Sequence, residues 1–98
     1  MPATLPKTVT VGGRRLRVVV AELEDDWGRY EHDAGVVTIS TMALAKRSTT
    51  RETLRHEILH AALQISGVGF CERYDEESVV RCLESLFWPA WDRIRKRL

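Results

Sequence analysis

Apolar and polar residues alternate through the first forty positions. "TVTV" and "RRLRVVV" flank Gly12 and Gly13. A glycine pair tolerates positive φ and suits a two-residue hairpin turn. That turn sets Val11 opposite Arg14 and Val9 opposite Leu16. Val9, Val11, Leu16, Val18 and Val20 then share one face, as a half-buried sheet requires. Arg14 alone is out of character on that face. "ELEDDWG" is polar and turn-like. "RYEH", "DAG" and "VVTIS" read as a second hairpin. "TMALAKRST" has no firm period and reads as a loop or short helical turn.

The period then changes from two to between three and four. Leu54, Ile58, Ala61, Ala62 and Ile65 predict a helix over about 50–66. Thr49 and Glu52 have the spacing of a capping box at its start. Gly67 stands where a C-terminal cap glycine belongs. A second helix is expected from Asp75 to Phe87 or Trp88, with the stripe Val79, Val80, Leu83, Leu86 and Phe87. Pro89 should end or kink it, and "AWDRIRKRL" continues as a short third segment. Strands followed by helices predict an α+β domain, a small antiparallel sheet of two hairpins packed on the helices.

The chain of 98 residues is expected to form one domain over 1–98. Its net charge of +1 argues against duplex DNA as a partner of the whole domain. Only the end is strongly basic, with Arg93, Arg95, Lys96 and Arg97 against Asp92. Cations there suit the negative pole of a helix. The opening "MPATLPKTVTVGG" has no apolar h-region, and no run approaches membrane-spanning length. Cys71 and Cys82 do not make a disulfide framework. A cytoplasmic protein is expected, with no membrane partner.

The chemistry-bearing stretch is "ETLRHEILHAALQISG". Residues four apart on a helix share a face, so His56 and His60 can turn their imidazoles to one ion. Zn2+ accepts such nitrogens at tetrahedral angles. Glu57, beside His56, can reach a water on that ion and take its proton as the water attacks a carbonyl. This is the H-E-x-x-H pattern in its helical setting. Leu54, Ile58, Leu59, Ala61 and Ala62 make the helix apolar over much of its circumference. Polar groups on so buried a helix need partners.

A third ligand is required. The longer H-E-x-x-H-x-x-G-x-x-H pattern is excluded, because Leu63 and Ser66 stand where it needs Gly and His. His32 lies upstream. Cys71, Glu72, Asp75, Glu76 and Glu77 lie downstream. Glu76 falls three and seven residues before Val79 and Leu83, on the buried stripe, where a carboxylate needs a metal or a pair. Glu77 falls closer to the polar side and is the alternative.

"TLRHEILHA" followed by "DEESVVRCLESLF" resembles the small gluzincin-type metallopeptidases, the HExxH-plus-Glu proteins that include the ImmA/IrrE-like peptidases and related short phage proteins. The hairpin and "WGRYEHDAGVVTIS" follow a similar layout, so the resemblance runs from about Lys7 to Phe87. It implies that His56, His60 and a glutamate of the second helix hold zinc, with Glu57 as general base. The family's apolar spacing after that glutamate matches Glu76 better than Glu77. It also implies that "VVTIS" is the strand nearest the zinc, pairing with an extended protein or peptide substrate by β-augmentation. The chain has no room for the DNA-binding or sensing domains that some such proteins carry. Tyr30, His32, Arg73 and Tyr74 each qualify as the oxyanion-stabilising group. Trp27, Trp88 and Trp91 read as core and rim packing.

The expected function is zinc-dependent peptide hydrolysis. The alternative is a non-catalytic zinc-containing module that binds a protein through a sheet edge or the basic tail. Three nameable ligands favour the first, since a closed structural site has four.

Overall fold

A computed structural model describes residues 5–67, 78–79 and 82–98. The fold is α+β, as the order of periodicities predicts. β1 (Thr8–Val11) and β2 (Arg14–Ala21) form the first hairpin. Its register pairs Val9 with Leu16 and Val11 with Arg14, as expected from the glycine turn. Gly12 and Gly13 take φ of 57° and 82°, the left-handed region that the turn demands. β3 (Gly28–Glu31) and β4 (Val36–Ser40) form the second hairpin.

The two hairpins join through a parallel pair. β2 runs beside β4, with Val18 opposite Val37 and Val20 opposite Ile39, so the sheet order is β1-β2-β4-β3 and the sheet is mixed. The sequence pattern predicts an antiparallel sheet because only the hairpin contacts are local. The β2–β4 pairing needs the 22–27 segment to carry β3 past β4 to the far edge. All of β4 is buried, on both faces. That explains why "VVTIS" carries no charge: a strand inside a covered sheet reads as a continuous uncharged run.

Arg14, the misfit of the first hairpin, ties the hairpins together. Its guanidinium donates to the His32 carbonyl and lies 3.3 Å from His32 Nδ1. Tyr30 Oη meets the same Nδ1 at 2.8 Å. Arg14 also lies over Gly35, where a β-carbon would come within 3.2 Å of its Nη2.

A 3-10 turn, Thr41–Ala45, leads into α1 (Arg47–Ser66). The helix starts three residues before the predicted boundary, so Thr49 lies inside it and forms no capping box. Thr50 is the residue that fastens the start. Its hydroxyl reaches the Ala43 carbonyl at 2.8 Å and the Lys46 carbonyl at 3.0 Å. Gly67 caps the far end at φ 84°, donating to the Gln64 carbonyl, as predicted. α1 packs on β1, β3 and β4. Leu54, Ile58, Ala61 and Ala62 meet Val9, Val11, Leu16, Val37 and Ile39 in one core. Burying a Leu or Ile side chain contributes roughly 1.5–3 kcal/mol.

The C-terminal part is helical through Pro89. A π-helical turn, Leu83–Phe87, runs directly into α2 (Trp88–Arg95). Pro89 was expected to end or kink the helix, yet it sits within the first turn of α2. Proline lacks an N–H and crowds the carbonyl four residues back. The wider π turn, closed by Trp88 N–H donating to the Leu83 carbonyl, precedes it. Phe87, Ala90 and Ile94 join the core. The basic end is partly spent inside the fold: Arg93 Nη2 donates to the Thr10 carbonyl at 2.7 Å, and Arg95 pairs with Asp92 at 3.1 Å. No helix among the described residues is long and apolar enough to cross a membrane.

Candidate metal centre

α1 presents His56 and His60 on one exposed face, one turn apart. Their Nε2 atoms stand 3.0 Å from each other, with ring planes at 79°. Two nitrogen lone pairs this close repel unless a proton or a cation lies between them. Two nitrogens at about 2.0–2.1 Å from a tetrahedral zinc ion would stand roughly 3.3 Å apart. The pair therefore fits such an ion within a few tenths of an ångström, and imidazole is a donor that suits it. His56 and His60 could supply two ligands. Among the described residues no group of three His, Cys, Asp or Glu could hold a metal. Glu76, the predicted third ligand, lies outside the described residues, as do Glu77, Cys71, Glu72, Arg73, Tyr74 and Asp75.

Glu57 points another way. It is only 6 % exposed, on the side of α1 that faces the sheet. The first residue of β3 makes room for it. A β-carbon on Gly28 would stand 3.1 Å from Glu57 Cγ and 2.7 Å from Thr53 Cγ2. Burial raises the Glu57 carboxyl above its ordinary range, the positive fields of His56 and His60 pull it back, and Asp26 pushes it up again. Glu57 forms no hydrogen bond or ion pair among the described residues, yet none of them has a buried side-chain oxygen or nitrogen without a partner. Its carboxylate therefore opens into the adjoining cleft. A buried carboxylate beside two imidazoles, open to solvent on one side, can accept a proton from a water in that cleft.

The cleft has a volume of about 550 Å3 and runs between α1 and the segment entering β3. Asp25, Asp26, Trp27 and Gly28 form one wall; Glu52, His56 and Glu57 are on the other. "DDWG" has the composition of a turn, and its place in the cleft wall comes from the fold. The signal was there in Trp27, an aromatic in an otherwise polar loop, and in a glycine that begins a strand. Trp27 is 53 % exposed at the rim. On the opposite side of His56 lies a smaller apolar hollow of about 290 Å3, formed with Leu59, Leu83, Phe87 and Trp88. There the Arg55 guanidinium sits 5.2 Å over the Trp88 ring. Trp88 thus carries a stacked cation, where rim packing alone was expected.

Two expectations about the surroundings change. "VVTIS" cannot take a substrate strand, because β4 has β2 on one side and β3 on the other. The strand that borders the cleft and has an outer edge is β3. Tyr30 bonds to His32, and His32 is in turn held by Arg14, which accounts for both side chains at the hairpin end. His32, at the end of the second hairpin, is not brought to the histidine pair as a third ligand.

No family model, no curated protein and no solved structure matches the chain.

Proposed function

We propose that the protein is a minimal zinc-dependent metallopeptidase that hydrolyses peptide bonds in an extended protein segment. The observation that carries this reading is the pairing of two Nε2 atoms 3.0 Å apart with a buried Glu57, unpartnered among the described residues, that opens into the neighbouring cleft. His56 and His60 would hold the ion, and Glu76 is the proposed third ligand. Bound zinc would polarise the scissile carbonyl and make water acidic enough to lose a proton near neutral pH. Glu57 takes that proton as the water attacks the carbonyl carbon, and returns it to the leaving amine. The raised affinity of Glu57 for a proton suits both steps. The outer edge of β3 borders the cleft and offers backbone N–H and C=O groups to an extended peptide. The proposed setting is cytoplasmic.

The reading is tested by metal content and hydrolysis together. Wild type and the variants His60→Ala, Glu76→Ala and Glu77→Ala are purified without added zinc and analysed for metal. One zinc per chain is expected in wild type, lost in His60→Ala and in Glu76→Ala. Cleavage of a mixed peptide library by wild type completes the test. No zinc after reconstitution would reduce the motif to two histidines on a helix. Stoichiometric zinc without cleavage would leave a binding module.

A further inference from the structure

The cleft beside Glu57 carries one sign of charge. Asp25, Asp26, Glu52 and Glu57 line it, and no Lys or Arg does among the described residues. The chain as a whole is balanced, with 15 basic and 14 acidic residues. Acidic surface alone is ordinary. Two further observations mark this one. The first is Glu57 itself, more than nine-tenths buried, without a partner among the described residues, and open to the same cleft. The second is Trp27. Two exposed tryptophans flank the helix at His56. Trp88 already has a cation over its ring, Arg55 at 5.2 Å, and an edge contact with Phe87. Trp27 has neither among the described residues, although it stands beside three exposed carboxylates.

The Trp27 backbone is fixed, because Ser40 N–H donates to its carbonyl at 2.8 Å and continues the β3–β4 ladder. The lip is therefore built onto the sheet. Among the described residues Arg29 approaches Asp26, only to 3.9 Å and with both side chains more than half exposed. A pair that open is easily displaced. An aromatic face with carboxylates around it is the arrangement that holds a guanidinium or ammonium group.

We propose that this cleft is a receptor for an arginine or lysine side chain of the substrate peptide, held between the Trp27 ring and the carboxylates of Asp25, Asp26 and Glu52. The inference rests on the metallopeptidase reading for its position beside the scissile bond. The apolar hollow on the other side of His56 shares only Glu52 with the cleft and sets Arg55 beside it, so its charge is balanced and the preference is confined to one side of the cleaved bond.

The test uses the zinc-loaded full chain and a library of capped decapeptides of mixed composition, with cleavage sites read by mass spectrometry. The expected result is Arg or Lys at one fixed position from the cleaved bond, favoured over Glu by about ten-fold or more. The double variant Asp26→Asn with Glu52→Gln should bring the ratio of Arg to Gln at that position towards one. Cleavage with no basic preference at any position overturns the proposal and leaves the hydrolysis reading standing. If nothing is cleaved, the hydrolysis reading fails and the receptor is judged by binding. The probes are then a capped pentapeptide with a central Arg and its Glu counterpart. The signal is the part of the tryptophan emission that Trp27→Phe removes. A response to the Arg peptide alone, lost in the double variant, supports the receptor. A response to neither peptide, to both alike, or to calcium ions in place of the Arg peptide overturns it.

Discussion

Gly28 of the edge strand lies so close to Glu57 of α1 that a β-carbon on Gly28 would stand 3.1 Å from Glu57 Cγ. The same atom would press to 2.7 Å on Thr53 Cγ2 and 3.2 Å on the Thr38 carbonyl. Backbone and a buried β-branched side chain cannot both give way. The absent side chain sets the separation between β3 and the helix, and with it the depth of Glu57. Gly28→Ala should destabilise the fold by about 1–3 kcal/mol, the usual cost of overpacking. It should also lower peptide hydrolysis while His56 and His60 still bind zinc, because it moves the wall and not the ligands. Urea midpoints and zinc stoichiometry of the purified variant check this. A midpoint equal to wild type would show that β3 is not held against α1.

Glu57→Gln separates the proton-transfer role from the metal. The amide keeps the size of the side chain and cannot accept the proton. Zinc should remain at one per chain, and hydrolysis should fall by about 10²–10⁴-fold, the usual contribution of a general base. The variant also has a signature in metal-free protein. Burial raises the Glu57 carboxyl above its ordinary value of 4.5 in the fold. A raised value means that the folded state holds the proton more tightly than the unfolded state. The resulting stabilisation is complete below the ordinary value and is lost as pH rises through the folded one. At about pH 7 the ionised group works against the metal-free fold. Metal-free Glu57→Gln should therefore melt above wild type at about pH 7, with the gap narrowing towards about pH 4. Thermal melts in chelator at the two pH values decide it, and a gap that widened on acidification would reverse the sign of the burial effect.

What the sequence made legible follows the range of the interactions. Gly12 and Gly13 fix a turn by local backbone sterics, so the register Val9–Leu16 could be read directly. Gly67 and the apolar spacing from Leu54 to Ile65 likewise act within one or two turns of helix. The H-E-x-x-H spacing placed His56 and His60 on one face for the same reason. The parallel pairing of β2 with β4 is set by which faces the helix covers, and nothing within either strand encodes it except the uncharged run of β4. The edge role of β3 therefore stayed hidden, and with it the cleft wall of Asp25, Asp26 and Trp27. Thr49 looked like a cap because its spacing to Glu52 is right. The helix instead begins at Arg47, since Thr50 next door can tie the 3-10 turn to it. Glu76 and Glu77 lie outside the described residues, so the choice between them belongs to the metal analysis.

Tyr30 gives a prediction at the other end of the pH scale. Its hydroxyl meets His32 Nδ1 at 2.8 Å in a half-buried site. Burial raises its pKa above the ordinary 10.0, and Arg14 only partly offsets that. The stabilisation is again present below the ordinary value and lost as pH climbs through the folded one. Wild type should lose stability above about pH 10 more steeply than Tyr30→Phe. At neutral pH the variant should be less stable by about 1 kcal/mol, the net worth of one hydrogen bond. Urea unfolding at neutral and alkaline pH supplies both values. Equal alkaline slopes would mean that burial does not disfavour the ionised Tyr30 hydroxyl.

Thr50 tests whether the start of α1 is held by its hydroxyl. The residue is fully buried, and Oγ1 lies 2.8 Å from the Ala43 carbonyl and 3.0 Å from that of Lys46. Ala43 is itself fully buried, so water cannot replace the lost donor. Thr50→Val preserves shape and removes the bond, which should cost about 1–3 kcal/mol for the unsatisfied carbonyl. Thr50→Ser keeps the donor and loses only a methyl group, so it should recover part of that loss. His56 lies nearly two turns further along the helix, so zinc stoichiometry in the folded Thr50→Val protein should equal wild type. If Val and Ser destabilised equally, the methyl packing and not the hydroxyl would be what fastens the helix to the 3-10 turn. If zinc were lost as well, the position of His56 would depend on the first turn of the helix, and the site would be less rigid than the packing of Leu54 and Ile58 in the core implies.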